Sequence, residues 1–477
     1  MPEAARRPGR PRRILSHPSL AKITRDPRLA RILAHPFLAK LTGGGSRSLM
    51  VVSASSMAAV GAAFLRGIIL AHLLTPREFG LGVILITLTG ALDMFADAGL
   101  DRFVIQSRFG FREDIIRTSH YFRVVGSLLV AAAIVALAYP LALLFHAPTM
   151  FPAIALTGGV VALRGFVDLR YKLQQRAHRF EAEARIEISR SAAEVVVLLA
   201  TALIFHSYWA VIAGAYVNAV THLLLSHRAA AEPYRLAPRK RLLGLVGKFS
   251  SPIYVNAALL LAAIQGDRLV VATLFDKSEL AFYTVACAIS QGLMVVLNRI
   301  TTSLLLPRMA SKVVTFEARR RQVNRLGLAM IALSTAFLIC MTIFGPLVTP
   351  VVYGARYHGL VAIIFASSIV NMIQIEQVWV TTLLMANGRT ASFPVITVMR
   401  ASAVPIAIVF AKIGASLLAI PLAFAVGAAF SLAATYYATS SLKLIDRRLI
   451  ALSFARTVLF IAAAPALATA FHVGGAN

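Results

Sequence analysis

Charge is scarce in this 477-residue sequence: 14% of its residues are Asp, Glu, Lys or Arg, against 58% that are hydrophobic. So few charges cannot cover the surface of a water-soluble chain of that size, which excludes an ordinary globular protein. Acidic residues are scarcer still, 20 against 48 Lys plus Arg. Cysteine is nearly absent: Cys287 and Cys340 both sit inside apolar runs and supply neither a disulfide framework nor a metal site. No apolar core precedes residue 48, so no cleavable signal peptide is expected. A phosphate-cradling glycine loop is missing, which argues against direct nucleotide hydrolysis. No cofactor is expected.

What fills the sequence instead is a series of thirteen apolar runs, at residues 48–74, 79–98, 119–144, 151–169, 186–205, 208–227, 249–275, 280–306, 326–353, 359–386, 392–411, 415–440 and 450–471. Their lengths match the roughly 20 residues needed to cross about 30 Å of hydrocarbon. Lys and Arg sort between the runs. Thirty-six fall in the N-terminal arm and alternate connections, eight lie inside spans, and the remaining connections hold Arg77, Lys277, Arg356 and Lys412 alone. Cytoplasmic loops retain Lys and Arg. The sequence therefore predicts a multi-pass protein of a bacterial inner membrane, with its N-terminus cytoplasmic and its C-terminus outside. The same sorting accounts for the net charge of +28 without nucleic acid as a partner.

Two repeats are visible. In the arm, RILSHPSLAKIT from Arg13 recurs as RILAHPFLAKLT from Arg31. It reads either as an interfacial arm on anionic inner-leaflet lipid or as a poorly ordered tail. Among the spans, Arg66 leads through GIILAHLLTPREFG into the second run, and Arg268 leads through LVVATLFDKSELAF into the eighth, with Glu78 matching Glu279 after a one-residue gap. An offset of six spans gives both copies the same orientation. The expected fold is an all-α polytopic membrane protein with two six-helix lobes in parallel repeat around a central cavity, plus a thirteenth C-terminal span. Its divisions would be a basic cytoplasmic arm at 1–47, an N-lobe at 48–227, a cytoplasmic linker at 228–248, a C-lobe at 249–440 and a C-terminal segment at 441–477. Chance likeness between two apolar hairpins with acidic turns is the alternative.

LLTPREFGLGVILITLTGALDMFADAGL, followed by FVIQ, resembles the first-hairpin signature of the polysaccharide-transport (Wzx-type) flippases of the multidrug/oligosaccharidyl-lipid/polysaccharide exporter superfamily. GDRLVVATLFDKSELAFYTVACAIS, with Pro307 closing its second helix, resembles the matching second-lobe stretch. The resemblance covers residues 48–440. It implies a transporter, not an enzyme, that moves undecaprenyl-pyrophosphate-linked oligosaccharide from the cytoplasmic to the periplasmic leaflet. It also implies a polysaccharide polymerase and a chain-length regulator as partners. Many members have fourteen spans, where this sequence has thirteen.

A pyrophosphate head suits Arg, which stays charged and can hydrogen-bond phosphate with two N–H groups at once. The intraspan arginines are Arg66, Arg123, Arg164, Arg190, Arg268, Arg299, Arg400 and Arg456. By depth, Arg66, Arg268, Arg299 and Arg400 are candidates for the anionic head. Arg123, Arg190 and Arg456 lie near the cytoplasmic ends and are expected to snorkel. Arg164 and Asp168, at i and i+4, read as an ion pair. Asp93, Asp97, Asp267 and Glu376 read either as ion-coupling groups or as charge balance for cations; Glu187 and Glu194 are further intraspan acids. Asn371, Gln374 and Gln377 read as a polar cavity wall for sugars or as interhelical hydrogen bonds. The rivals are an ion-coupled exporter of cationic drugs, a peptidoglycan-precursor flippase, and a membrane polymerase or ligase. The outer connections are short and carry no His/Asp/Glu cluster, which counts against the last.

Alkaline phosphatase fused after residue 77, 277, 356 or 412 should be active, and fused within 170–185, 228–248 or 443–448 inactive. Neighbouring connections that fail to alternate in activity would overturn the thirteen-span reading.

Overall fold

Lipid offers no hydrogen-bond partners, so each apolar run must satisfy its backbone internally, as helix. The computed structural model describes residues 44–97, 99–107, 110–177, 179–230, 232–310, 315–413 and 416–472. The repeats of the arm lie outside them, and the described residues contain no strand. Among the described residues, twelve helices are long and apolar enough to cross a membrane, and counting a pair bent by 54° as one span gives thirteen. In chain order they are α1 (Gly44–Leu73), α2 (Pro76–Asp97), α3 (Glu113–Leu144), α4 (Phe151–Gly165), α5 (Glu181–Phe205), α6 (Trp209–Ala229), α7 (Lys240–Leu274), α8 (Lys277–Ala310), α9 (Phe316–Tyr353), α10 (Val361–Ala386), α11 (Phe393–Lys412), α12 (Ala419–Thr439) and α13 (Arg447–His472).

Two spans are interrupted, each for a local reason. α11 breaks at Ser402, three residues before Pro405, whose ring removes one helical N–H and crowds the preceding turn. α4 stops at Gly165 and the chain bends into a short helix, Arg170–Leu173. Side chains satisfy the backbone freed at this bend. Asp168 N–H donates to Ser226 Oγ at 3.1 Å, Leu169 N–H to His120 Nε2 at 3.0 Å, and Arg170 N–H to Asp168 Oδ1 at 2.8 Å.

The two repeat-related turns start their second helices differently. Thr75 Oγ1 accepts from Glu78 N–H at 3.3 Å, with Pro76 opening α2. Glu78 itself reaches across to accept from Tyr208 N–H and Ser207 Oγ, both at 2.9 Å, and so caps α6. Asp276 accepts from Ser278 N–H at 2.8 Å while Glu279 accepts from Asp276 N–H at 2.9 Å, a reciprocal cap on α8. The Ser278 N–H, with the nearby Lys277 charge, holds the Asp276 carboxyl below its ordinary range.

Packing repeats with a period of six. Helices α1–α5, α5–α6, α4–α6, α3–α4, α2–α4, α2–α3 and α1–α2 pair in the first half. The pairs six helices on, from α7–α11 to α7–α8, occur in the second half. α13 has no counterpart and packs on α10, α9 and α12. The linker is shorter than the expected 228–248, because α7 begins at Lys240, and it is docked on the first half. Tyr234 stacks on His120 at 4.5 Å, and Phe249 of α7 meets Phe103 at 5.1 Å.

The halves also meet at the ends remote from the basic connections. Here α2 and α8 approach backbone to backbone: a Cβ on Gly80 would lie 1.8 Å from the Lys277 carbonyl oxygen. Two of the four cations on this face tie off helix ends. Lys277 Nζ donates to Ala272 O at 2.8 Å, near the end of α7, and Arg356 Nη1 to Leu74 O at 2.9 Å, just past α1. Exceptions to the charge sorting thus have structural work.

Gly80→Ala should lower the apparent melting temperature in detergent, by an overpacking cost of about 1–3 kcal/mol. Gly61, where a Cβ meets nothing within 4 Å, is the control and should tolerate Ala. Equal melting of the two variants would refute the close approach of α2 and α8.

Candidate functional site

A cavity of about 290 Å³ lies between the halves, walled by α1, α2, α7 and α8, with Tyr353 also lining it. Both repeat-related arginines, Arg66 and Arg268, line it. Their partners differ in charge. Arg66 Nη1 is ion-paired with Glu194 Oε1 of α5 at 2.5 Å, whereas Arg268 donates to two neutral amides, Gln265 Oε1 at 2.6 Å and Gln291 Oε1 at 3.0 Å.

Arg66 also borders a second cavity, of about 230 Å³, inside the first half. Asp93, Arg164, Glu187, Arg190, Glu194 and Asn218 line it. Asn218 holds this network together. Its Nδ2 donates to Glu194 Oε2 at 2.7 Å, and its Oδ1 accepts from Arg190 at 3.1 Å and Arg164 at 3.2 Å. Arg190 pairs with Glu187, three residues back on α5, and Arg164 pairs with Asp93 across to α2. A third cavity, of about 220 Å³, shares Asp93, Arg164, Glu187 and Arg190 and continues toward the basic connections through Asp101, Arg123 and Lys172. Polar lining therefore runs from the basic face to Arg66.

Arg400 ends the first segment of α11. It lines none of the three cavities. Asp267, next to Arg268, attracts the Arg400 charge, while its own oxygens accept from Tyr283 Oη at 3.0 Å and Arg268 N–H at 2.8 Å.

The family profile described as polysaccharide biosynthesis protein matches residues 69–362, more than half of the chain. The chain belongs to that family. No curated protein matches the sequence. Among solved structures, the lipid II flippase MurJ in an inward closed conformation is similar with a TM-score of 0.66 at 10% identity, over 90% of this chain and 93% of that one. An inward-facing multidrug resistance MATE family transporter of the MOP superfamily aligns with a TM-score of 0.53 at 14% identity, over 88% and 99%. The eukaryotic MATE transporter AtDTX14 aligns with a TM-score of 0.50 at 15% identity, over 87% and 100%. At these identities the likeness is one of fold.

The other candidates of this polysaccharide biosynthesis protein sit away from the central cavity. Glu376 is fully buried and ion-paired with Arg456 of α13, and it also accepts from Tyr436 Oη at 2.8 Å and from Ser453 Oγ. Arg456 does not snorkel: it donates further to Ile331 O at 2.8 Å, Ser334 Oγ at 2.7 Å and Thr335 Oγ1 at 2.9 Å. Asn371 donates to Ser290 Oγ at 2.9 Å, and Gln377 to Ser431 Oγ at 2.9 Å and Thr435 Oγ1 at 2.7 Å. Both are buried bridges between helices rather than a sugar-facing wall. Gln374 is half-buried on the same helix and lines none of the three cavities. The side chains of Asp97 and Arg299 lie outside the described residues.

Three further expectations are corrected. Arg164 pairs with Asp93, not Asp168, because the helix ends between positions 164 and 168 and destroys the i, i+4 geometry; Asp168 turns to Arg170 and His120. Arg123 is buried against Asp101 at 3.2 Å, and Arg190 faces the polar cavity. Snorkelling is unnecessary where a partner lies within reach. Glu194 was visible in the sequence but had no assigned partner. Its spacing from Glu187 and Arg190, at i, i+3 and i+7, is the signal that α5 carries one charged face.

Arg456→Ala should destabilise the protein by about 3–5 kcal/mol by leaving Glu376 buried and unpaired. Arg456→Gln combined with Glu376→Gln should recover much of the loss. Apparent melting in detergent measures both; a double variant no better than the single one would show that the ion pair is not the source.

Proposed function

We propose that this chain is a flippase that carries undecaprenyl-pyrophosphate-linked oligosaccharide repeat units from the cytoplasmic to the periplasmic leaflet by alternating access, for exopolysaccharide, capsule or O-antigen synthesis. Membership of a polysaccharide biosynthesis family and a fold shared with a flippase and multidrug transporters support a membrane transporter. The observation that carries the anionic cargo is the pair Arg66 and Arg268, contributed by the two halves to one cavity.

In this reading Arg66, Arg268 and Arg400 serve the pyrophosphate, with Arg299 as a further candidate. A cavity of about 290 Å³ is at the small end of sites that enclose even a drug-sized ligand. A repeat unit of several sugars therefore needs the halves to part, which rocking about the central cavity supplies. Binding also requires exchange, since Glu194 holds Arg66 until a stronger anion displaces it. The cargo's pyrophosphate offers more acceptor oxygens and more charge than one carboxylate.

The alternative is an ion-coupled exporter of cationic drugs, drawing on the carboxylates Asp93, Glu187 and Glu194. Each of these already has an arginine partner, so the first half offers a balanced network rather than an acidic well.

Deletion of the gene should trap lipid-linked oligosaccharide in the cytoplasmic leaflet, measured by leaflet-selective labelling, and the intact gene should restore transfer. Arg66→Ala, Arg268→Ala and Arg400→Ala should each lower transfer about 10- to 100-fold, as expected for loss of one charge-assisted contact of about 1.5–3 kcal/mol, at unchanged protein level in the membrane. Full transfer in all three would remove the arginine site. Normal transfer with lost drug resistance on deletion would overturn the flippase reading.

A further inference from the structure

A groove of about 670 Å³ opens on the basic face between the first turns of α9 and α13. Its composition divides sharply along the helix axes. Arg320, Arg321, Arg325 and Arg448 lie toward the connections, and Leu328, Leu449 and Leu452 lie deeper. The change falls where the sequence alone starts the two spans, at residues 326 and 450. The groove therefore straddles the boundary between headgroups and hydrocarbon.

Its back wall is fixed by bonds between α9 and the turn that leads into α13. Arg320 Nε donates to Asp446 Oδ1 at 2.8 Å. Asn324 Nδ2 donates to Leu444 O at 3.0 Å, and its Oδ1 accepts from Asp446 N–H at 2.9 Å. Arg320 is thereby spent. Arg321, Arg325 and Arg448 have no hydrogen-bond or ion-pair partner among the described residues, and all three are exposed. Arg321, Arg325 and Leu328 follow one another at i, i+4 and i+7, so a single face of α9 presents two cations and then an apolar step. Four guanidiniums share the lining with two carboxylates, Glu317 and Asp446.

The geometry points to a binding site for an anionic phospholipid of the leaflet on the basic face. Its phosphate lies among Arg321, Arg325 and Arg448, and an acyl chain runs along Leu328 and Leu452. A merely solvated basic face would have no apolar floor, and a purely apolar groove would have no use for three unpartnered cations. The site is separate from the translocation path, because it shares no lining residue with the central cavity and rests partly on α13, which lies outside the six-helix repeat. Bound lipid would join α13 to α9 at the membrane surface, supplementing the buried Arg456–Glu376 pair deeper in the same helix.

The full chain in detergent, titrated with phosphatidylglycerol, phosphatidylcholine or undecaprenyl phosphate and read by native mass spectrometry, tests the site. Phosphatidylglycerol should be retained in preference to both others. The triple variant Arg321→Gln, Arg325→Gln, Arg448→Gln should lose about tenfold or more of that binding, given about 1 kcal/mol per basic residue at an anionic surface. Leu452→Asp should weaken it with all three arginines in place. Arg235→Gln, Arg241→Gln, Lys248→Gln, which removes the same charge elsewhere on this face, should leave it nearly unchanged. Retention by the first triple variant, equal loss in the second, or preference for phosphatidylcholine or undecaprenyl phosphate would each overturn the proposal.

Discussion

A guanidinium inside a bilayer must find acceptors within the protein, and that requirement shapes the interior of this chain. Arg66–Glu194 ties α1 to α5, Arg164–Asp93 ties α4 to α2, and Arg456–Glu376 ties α13 to α10. All three pairs bridge helices distant in sequence. An ion pair of this kind is a weak source of net stability, because desolvation offsets most of the attraction. Its stronger effect is on arrangement: sliding a helix by one turn would strand a charge in hydrocarbon, so register is specified more sharply than apolar packing alone would specify it.

The two halves share helix pairing but not electrostatics. Around the first-half cavity, Arg66, Arg164 and Arg190 face Glu194, Asp93 and Glu187, three charges of each sign. Across the repeat, Arg268 has two neutral amides as its side-chain partners. At the central cavity, the arginine whose side chain has no carboxylate partner among the described residues therefore comes from the second half.

Much of this fold was legible in the sequence because hydrophobic length and the sorting of Lys and Arg are one-dimensional signals. Twelve to thirteen helical spans and the offset of six could be read without contacts, as could the matching of Arg66 with Arg268, which line one cavity. Pairing could not. Arg164 and Asp168 looked like partners only on the assumption of a continuous helix, which the bend at residues 166–169 removes. Arg456 looked interfacial by depth, yet acceptors from α9 and α10 reach it. The polar run of α10 did not show that Asn371 and Gln377 point to different neighbours, Ser290 of α8 and Ser431 and Thr435 of α12, which come from helices far apart along the chain.

The Arg66–Glu194 pair raises a question of cost, because freeing Arg66 for a ligand must not leave a bare carboxylate in a low-dielectric site. Asn218 answers part of it. Its amide donates to Glu194 Oε2, the oxygen that Arg66 Nη1 does not use, so the carboxylate keeps a donor when the arginine leaves. The Asn218 carbonyl is in turn polarised by Arg164 and Arg190, which strengthens the N–H it offers. Positive charge thus reaches Glu194 through one neutral residue even in the exchanged state. In the proposed function, an anion in the central cavity would compete with a carboxylate that keeps the Asn218 donor, so the exchange would be a transfer between partners rather than the breaking of a part-buried ion pair with nothing in its place.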